Sequence, residues 1–210
     1  MDQQGSLRER LIDVGVELVT TDGTAALGLR EIARRAGVSH GAPRRYFPTH
    51  HSLLSAIAHR GFAELGSRSA AATAGLATAR EQLQAIGRTY VGYALEQRGM
   101  FELMFRHDLL DSSQHVSDGP RLRESSLPQF QLVVGLITRH RTEQRTAATD
   151  RPVPPPAVTA AALWSNLHGI AQLWTWGSLQ LALATDGTGT DPLDLLVGAA
   201  LDAHLGPAEQ

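Results

Sequence analysis

The chain has 210 residues, with 19 arginines, no lysine, 21 acidic residues and no cysteine, and its formal net charge is −2. Its 42% hydrophobic residues allow a sizeable core and argue against a disordered chain. The absence of cysteine excludes disulfides, thiolate metal sites and iron–sulfur clusters, and it fits a cytoplasmic protein.

Apolar residues recur with the helical period along the whole chain, and no segment shows the alternation of a strand. We therefore expect an all-α fold of about nine helices. Gly23, Gly37 and Pro48 are the expected breaks between the first four. The predicted helices are a first that ends at residue 22, then 29–36, 40–46, 49–70, 79–97, 99–110, 121–146, 157–184 and 192–205.

Residues 27–54 have the pattern of a helix-turn-helix. Gly37 stands where the tight turn needs a positive φ, and Ser39 stands at the N-cap of the next helix. Ala33 is small enough to let the two helices approach closely. An αα-corner in an ordinary helical protein is the alternative. The residues expected to face outward are Arg34, Arg35, His40, Gly41, Ala42, Arg44 and Arg45.

The charges are unevenly distributed. Between residues 23 and 60 there are six arginines and a single acid, Glu31, whereas residues 61–210 carry 11 arginines and 15 acids. A basic segment on an acidic body predicts a segment that binds a polyanion such as DNA. A solvated basic face is the alternative.

Residues 152–185 carry no formal charge and are numerous enough to cross a bilayer. Polar residues interrupt the segment, and its longest apolar run, Ala160 to Trp164, is too short to span. We expect a helix buried within protein, at the centre of the fold or at an interface. The N-terminus shows no apolar core of the signal-peptide type, and no membrane association is expected.

Three short motifs in the N-terminal part resemble the TetR family of bacterial transcriptional regulators. They are Gly-Val-Ser at 37–39, Tyr-Phe-Pro at 46–48 and Leu-Leu at 53–54, and the match covers about residues 7–65. The resemblance implies a homodimeric, ligand-responsive DNA-binding regulator, usually a repressor. It also implies a helix-turn-helix DNA-binding domain over residues 1–47 and a ligand-binding and dimerisation domain over 48–210.

A second likeness lies in the C-terminal part. Trp164 and His168-Gly169, with Met104-Phe105 upstream, resemble the Trp-His-Gly signature of one subgroup of TetR C-terminal domains.

The resemblance implies that the third helices of two subunits enter successive major grooves of a palindromic operator, about 34–36 Å apart. Arg44 and Arg45 are expected to make most side-chain contacts, with Ser39 and Tyr46 bonding phosphates. The chain departs from the family pattern at Gly28, Arg44 and His50, where Thr or Ser, Tyr and Lys are usual. The expected DNA-binding residues are Arg30, Arg34, Ser39, His40, Gly41, Ala42, Arg44, Arg45, Tyr46 and His50.

The last two helices are expected to pair across a twofold axis as a four-helix bundle. Their apolar stripes could instead belong to the core of one chain. The expected dimer-interface residues are Leu163, Ile170, Trp174, Leu193, Leu196, Val197 and Leu201.

A pocket for a mostly apolar ligand is expected in the C-terminal part, with His168, Asn166 or a tyrosine hydroxyl orienting a polar group. Ligand binding would shift the helix over 48–70 and thereby the spacing of the two DNA-binding heads. Each residue could instead be plain core. The expected ligand-binding residues are Tyr90, Tyr93, Phe101, Met104, Phe105, Phe130, Val133, Trp164, Leu167 and His168.

Two other functions compete with this interpretation. A helical metal-dependent enzyme would need a second cluster beside His50-His51, His107-Asp108 or Asp111 with His115, and no His-Glu-x-x-His motif is present. We therefore expect no catalytic residue, metal site or cofactor. A helical DNA-binding protein without an effector is the other alternative.

Overall fold

The computed structural model describes residues 3–106, 110, 122–144, 153–183 and 191–207. These ranges contain nine α-helices, two 3₁₀ turns (Thr24–Ala26 and Pro43–Arg45) and no strand, which confirms the predicted all-α fold. The helices are α1 (Gln3–Asp22), α2 (Leu29–Arg35), α3 (His50–Thr73), α4 (Ala79–Glu96), α5 (Arg98–Phe105), α6 (Leu122–Glu143), α7 (Pro156–Thr175), α8 (Ser178–Leu183) and α9 (Pro192–Leu205).

The starts of two helices lie within a residue of the predicted positions 49 and 192, and side chains cap both of them. Thr49 accepts a hydrogen bond from the backbone N–H of Ser52 through its hydroxyl (3.0 Å), and the Ser52 hydroxyl accepts one from the N–H of Thr49 (3.2 Å). This reciprocal pair begins α3. Asp191 caps α9 by accepting from the N–H of Leu193 (3.0 Å).

The predicted third helix over 40–46 is wrong in its extent, since the structure has turns followed by one 3₁₀ turn, Pro43–Arg45. Pro43 has no N–H and cannot donate to the carbonyl of Ser39. That carbonyl accepts instead from Ala42, in an i to i+3 bond of 3.0 Å. The segment is therefore more tightly wound and shorter than an α-helix.

The predicted single helix over 157–184 is also wrong, because α7 ends at Thr175 and α8 begins at Ser178. Gly177 between them has φ +81°, a left-handed conformation that ends a helix. Its N–H donates to the carbonyl of Trp174 (3.0 Å). The described residues still contain nine α-helices, as predicted. The reason is that the absence of the predicted helix over 40–46 offsets the division of 157–184 into two helices.

Two compact units are formed: Met1–Glu64 with Gln97–Ser126, and Leu65–Glu96 with Leu127–Gln210. We call them unit 1 and unit 2. The predicted domain boundary at residue 47 lies inside unit 1, and α3 belongs to unit 1 up to Glu64 and to unit 2 from Leu65.

Unit 1 is built around the buried faces of α1, α2 and α3. Leu11, Leu18, Ile32, Leu53 and Ile57 are all fully buried, as the helical period predicts. The turn between α2 and the Pro43–Arg45 segment is therefore attached to a packed helical core.

Unit 2 has its core between α4, α7 and α9, where Leu83, Val91 and Leu163 are buried. Arg80 ties α4 to the end of α9 by donating to the carbonyl of Gly206 (2.8 Å) and to the carboxylate of Asp202. Predictions that concern 107–109, 111–121, 145–152 and 184–190 lie outside the described residues.

Candidate nucleic-acid interface

The turn after α2 has the hydrogen bonds of a Schellman motif. The N–H of Val38 donates to the carbonyl of Ala33 (3.0 Å), and the N–H of Gly37 donates to that of Arg34 (3.1 Å). Gly37 has φ +66°, which confirms the positive φ predicted there. The chain therefore reverses sharply after α2 and presents the residues that follow at the surface.

The predicted DNA-binding residues lie on or near this turn, and most of them are exposed. Ala42, Tyr46 and His50 are half-buried. The exposed ones are Arg30, Arg34, Ser39, His40, Gly41, Arg44 and Arg45.

Half of the arginines between residues 23 and 60 are engaged in ion pairs. Arg34 and Arg35 pair with Glu31, and Arg35 also pairs with Asp22. Arg60 pairs with two acids of α1, Glu9 and Asp13.

The other three are Arg30, Arg44 and Arg45, and they make no ion pair with any described residue. All three are exposed, one on α2 and two in the 3₁₀ turn, so their guanidinium groups are available to a phosphate or a base edge.

The ring of His50, one of the predicted DNA-binding residues, is already engaged in a hydrogen bond. Its Nε2 lies at hydrogen-bond distance from the carbonyl oxygen of Leu27. Because a carbonyl only accepts, Nε2 carries the proton and donates. This bond fastens the start of α3 to the segment before α2, and it occupies the nitrogen that a phosphate contact would use.

Glu31 is the residue of this surface that the prediction did not single out. Its carboxylate accepts three N–H bonds from Arg34 and Arg35, at 2.6–2.9 Å. The two hydrogen bonds from Arg34 and then the one from Arg35 lower the pKa of Glu31 to about 2. The signal was present in the sequence, since residues three and four positions apart are neighbours on a helix.

The predicted ligand-binding residues are divided between the two units. Phe101, Met104 and Phe105 lie in unit 1, where the first two are buried. The others lie in unit 2: Tyr90, Tyr93, Phe130, Val133, Trp164, Leu167 and His168.

A hydrogen-bonded chain joins three of these unit 2 residues. Trp164 Nε1 donates to the hydroxyl oxygen of Tyr90 (2.9 Å), and that hydroxyl lies 2.8 Å from Nδ1 of His168. Burial raises the pKa of Tyr90 above its ordinary value and lowers that of His168, so both groups are neutral near pH 7. The Tyr90 hydroxyl and Nδ1 of His168 share one hydrogen bond, and the tautomer of the neutral ring sets which of them donates.

The predicted dimer-interface residues differ in exposure. Leu163, Ile170, Val197 and Leu201 are buried within unit 2, whereas Trp174, Leu193 and Leu196 are half-buried. Other large apolar side chains, not predicted at the dimer interface, reach the surface of α7–α9 and the turn after α7. These are Val158, Trp164, Leu173, Trp176, Leu181 and Leu195.

No three His, Cys, Asp or Glu side chains cluster as a metal site would require, among the residues that the structure describes. In the same ranges, no helix combines the length and the apolar character that crossing a bilayer requires.

Two family models match the chain. One, for bacterial regulatory proteins of the tetR family, matches residues 11–57. The other, for the tetracyclin repressor-like C-terminal domain, matches residues 83–199, which is more than half of the chain.

A curated relative and two solved structures agree with these matches. The HTH-type transcriptional regulator BetI of Rhizobium meliloti is 35% identical over 81 residues, 39% of this chain and 40% of that protein. A Rhodococcus sp. RHA1 protein of unknown function has a TM-score of 0.72 and 28% identity, over 98% of this chain and 97% of that one. A tetR-family regulatory protein from Rhodococcus RHA1 has a TM-score of 0.66 and 20% identity, over 97% and 98%, and its likeness concerns the fold.

The matched stretch spans less than half the length of the curated relatives. The family models and BetI describe regulators rather than enzymes. The likeness to the Trp-His-Gly subgroup stays a prediction. The two family models together cover both the DNA-binding and the C-terminal part, and the chain therefore belongs to the TetR family of bacterial regulatory proteins.

Proposed function

We propose that this protein is a transcriptional regulator that binds double-stranded DNA through the turn after α2 and the Pro43–Arg45 segment. The observation that carries the proposal is the group of exposed arginines without an ion pair among the described residues, Arg30, Arg44 and Arg45. Arg forms bidentate bonds with guanine and with phosphate, and these three lie on both sides of a helix-turn-helix turn. The cytoplasm is the expected location.

We also propose that the active form is a homodimer on a palindromic operator. An open groove of about 450 Å³ lies between α7, α8 and α9, with small residues such as Ser165, Gly169 and Ala199 beside Leu173 and Leu196. Leu173 in its lining is exposed, other large apolar side chains of α7–α9 reach the surface, and residues 152–185 carry no charge. An uncharged apolar surface of this kind favours a second copy of the same surface over a charged partner.

The response to an effector is the third part of the proposal. A mostly apolar small molecule would bind in unit 2 and lower the affinity for DNA, which makes the protein a repressor released by its ligand. The hydrogen-bonded chain of Tyr90, Trp164 and His168 is the polar group that we expect to orient such a ligand, because it joins the buried Tyr90 to the exposed Trp164. The ligand has to bind the conformation with low DNA affinity more tightly, or DNA binding does not change.

Selection of bound fragments from a pool of random duplexes tests the central part. We expect enrichment of a palindromic sequence, with an affinity that falls steeply as salt rises because phosphates are neutralised. Failure to retain any duplex at low salt would refute the DNA-binding function. Small molecules are then screened for release of the selected fragment.

A further inference from the structure

Glu31 lies between two of the arginines that surround the turn. Arg34 approaches its carboxylate with the fork of its guanidinium, Nε at 2.8 Å and Nη2 at 2.6 Å. Arg35 donates from Nε to the same carboxylate (2.9 Å) and from Nη2 to Asp22 at the end of α1 (2.6 Å). Two cations of the basic segment are thus neutralised by acids of the same unit.

This arrangement uses the donors that a DNA phosphate would use. A carboxylate and a phosphate both accept two parallel N–H bonds from one guanidinium, so only one of them can hold that fork at a time. Arg34 lies one turn after Arg30 on the same face of α2, and its side chain is 66% exposed. A phosphate that approaches Arg30 therefore comes within reach of Arg34 as well.

We propose that Glu31 is an intramolecular competitor of DNA phosphates, which occupies Arg34 and Arg35 and so lowers the sequence-independent affinity for DNA. The inference rests on the proposed DNA-binding function. Phosphate contacts carry no sequence information, whereas base contacts do. Because two of its cations are withheld from the DNA phosphates, the protein depends more on the contacts of Arg30, Arg44 and Arg45. Glu31 is thereby a determinant of sequence specificity.

The competitor is present throughout the working range of pH. The hydrogen bonds from Arg34 and Arg35 hold the pKa of Glu31 near 2, so the carboxylate stays ionised at any pH at which the protein functions. Only a substitution, or a phosphate that displaces it, releases the two arginines.

The test compares Glu31→Gln with the wild type on a scrambled 20-base-pair duplex and on the selected operator, each over a series of salt concentrations. Glu17→Gln is the matched control, because it removes the same charge from an exposed position in unit 1 that has no ion pair among the described residues. The double variant Glu31→Gln/Arg34→Ala asks whether any increase in affinity passes through Arg34. Thermal unfolding verifies that each variant is folded.

For Glu31→Gln we expect tighter binding to the scrambled duplex and a log–log salt slope that is steeper by about 0.9 per subunit for each additional phosphate that the protein neutralises. The ratio of operator to scrambled affinity should fall, and the double variant should restore much of the wild-type slope. Glu17→Gln should leave the slope unchanged. These results together would support the competitor role.

An unchanged or weaker affinity of Glu31→Gln would overturn it, and weaker binding would mean that Glu31 positions Arg34 for DNA. An increase in affinity equal to that of Glu17→Gln would also overturn it, since net charge alone would explain the effect. If the wild type binds no duplex at all, the proposed function fails; if the wild type binds and Glu31→Gln equals it, only this inference fails.

Discussion

Whether an arginine near the turn is available to DNA depends on the acidic side chains beside it. Arg34 and Arg45 are both exposed and both expected to contact DNA, yet Arg34 is held by Glu31 and Arg45 makes no ion pair with a described residue. The Glu31 pairs could be predicted from helical spacing alone. The pairs of Arg35 with Asp22 and of Arg60 with Glu9 could not, because they join residues distant in sequence.

The pH dependence of stability should carry a contribution from His168. Burial lowers its pKa below 6.5, so the unfolded chain takes up a proton at a higher pH than the folded protein does. The free energy of unfolding therefore decreases as pH falls below about 6.5 and is restored as pH rises. Denaturant unfolding between about pH 7 and about pH 5 should show a greater loss for the wild type than for His168→Gln. Equal losses would contradict this assignment.

At the scale of helices, capping residues and glycines predict where a helix ends, whereas apolar periodicity does not predict whether a long helix is unbroken. The Thr49 cap and the glycine after α2 act within a few residues, and the start of α3 and the end of α2 lie within a residue of the predicted positions. The break at Gly177 was missed because apolar residues continue through it, and periodicity alone does not show a left-handed φ. The 40–46 segment is shorter than its predicted helix because Pro43 lacks the N–H that an α-helix would use.

Gly37 and Gly41 provide a matched pair of tests of the turn. An added Cβ meets no atom within 4 Å at either position, but only Gly37 has a positive φ. Gly37→Ala should therefore cost about 1–2 kcal/mol through backbone strain, and Gly41→Ala should leave stability nearly unchanged. Urea unfolding measures both. A loss of the same size at the two positions would show that backbone conformation is not the cause.

At the scale of the whole molecule, the family and the helical content follow from the sequence, whereas the partner of each apolar face does not. Leu163 and Val197 were expected at a dimer interface and are buried within unit 2, whereas Trp176 and Leu181 are largely exposed. A helical stripe shows only that a face is covered, and the covering surface can be the same chain or another one.

The proposed dimer predicts different effects for two equally exposed leucines of unit 2. Leu195 on α9 is 52% exposed and Leu132 on α6 is 50% exposed. Leu195→Glu should shift the protein toward monomer, because two carboxylates would be buried at the twofold interface without partners. Leu132→Glu should leave the dimer intact. Light scattering at micromolar concentration measures both, and a monomeric wild type would refute the dimer.

The salt dependence of DNA binding by two matched double variants tests the DNA-binding role of the turn most directly. Arg44→Ala/Arg45→Ala and Arg34→Ala/Arg60→Ala remove the same charge from unit 1, but only the second pair is held in ion pairs among the described residues. The first variant should bind the selected operator more weakly, with a log–log slope reduced by up to about 1.8 per subunit. The second should keep a slope close to that of the wild type. Equal slopes for the two variants would contradict the claim that the unpaired arginines of the turn bind DNA.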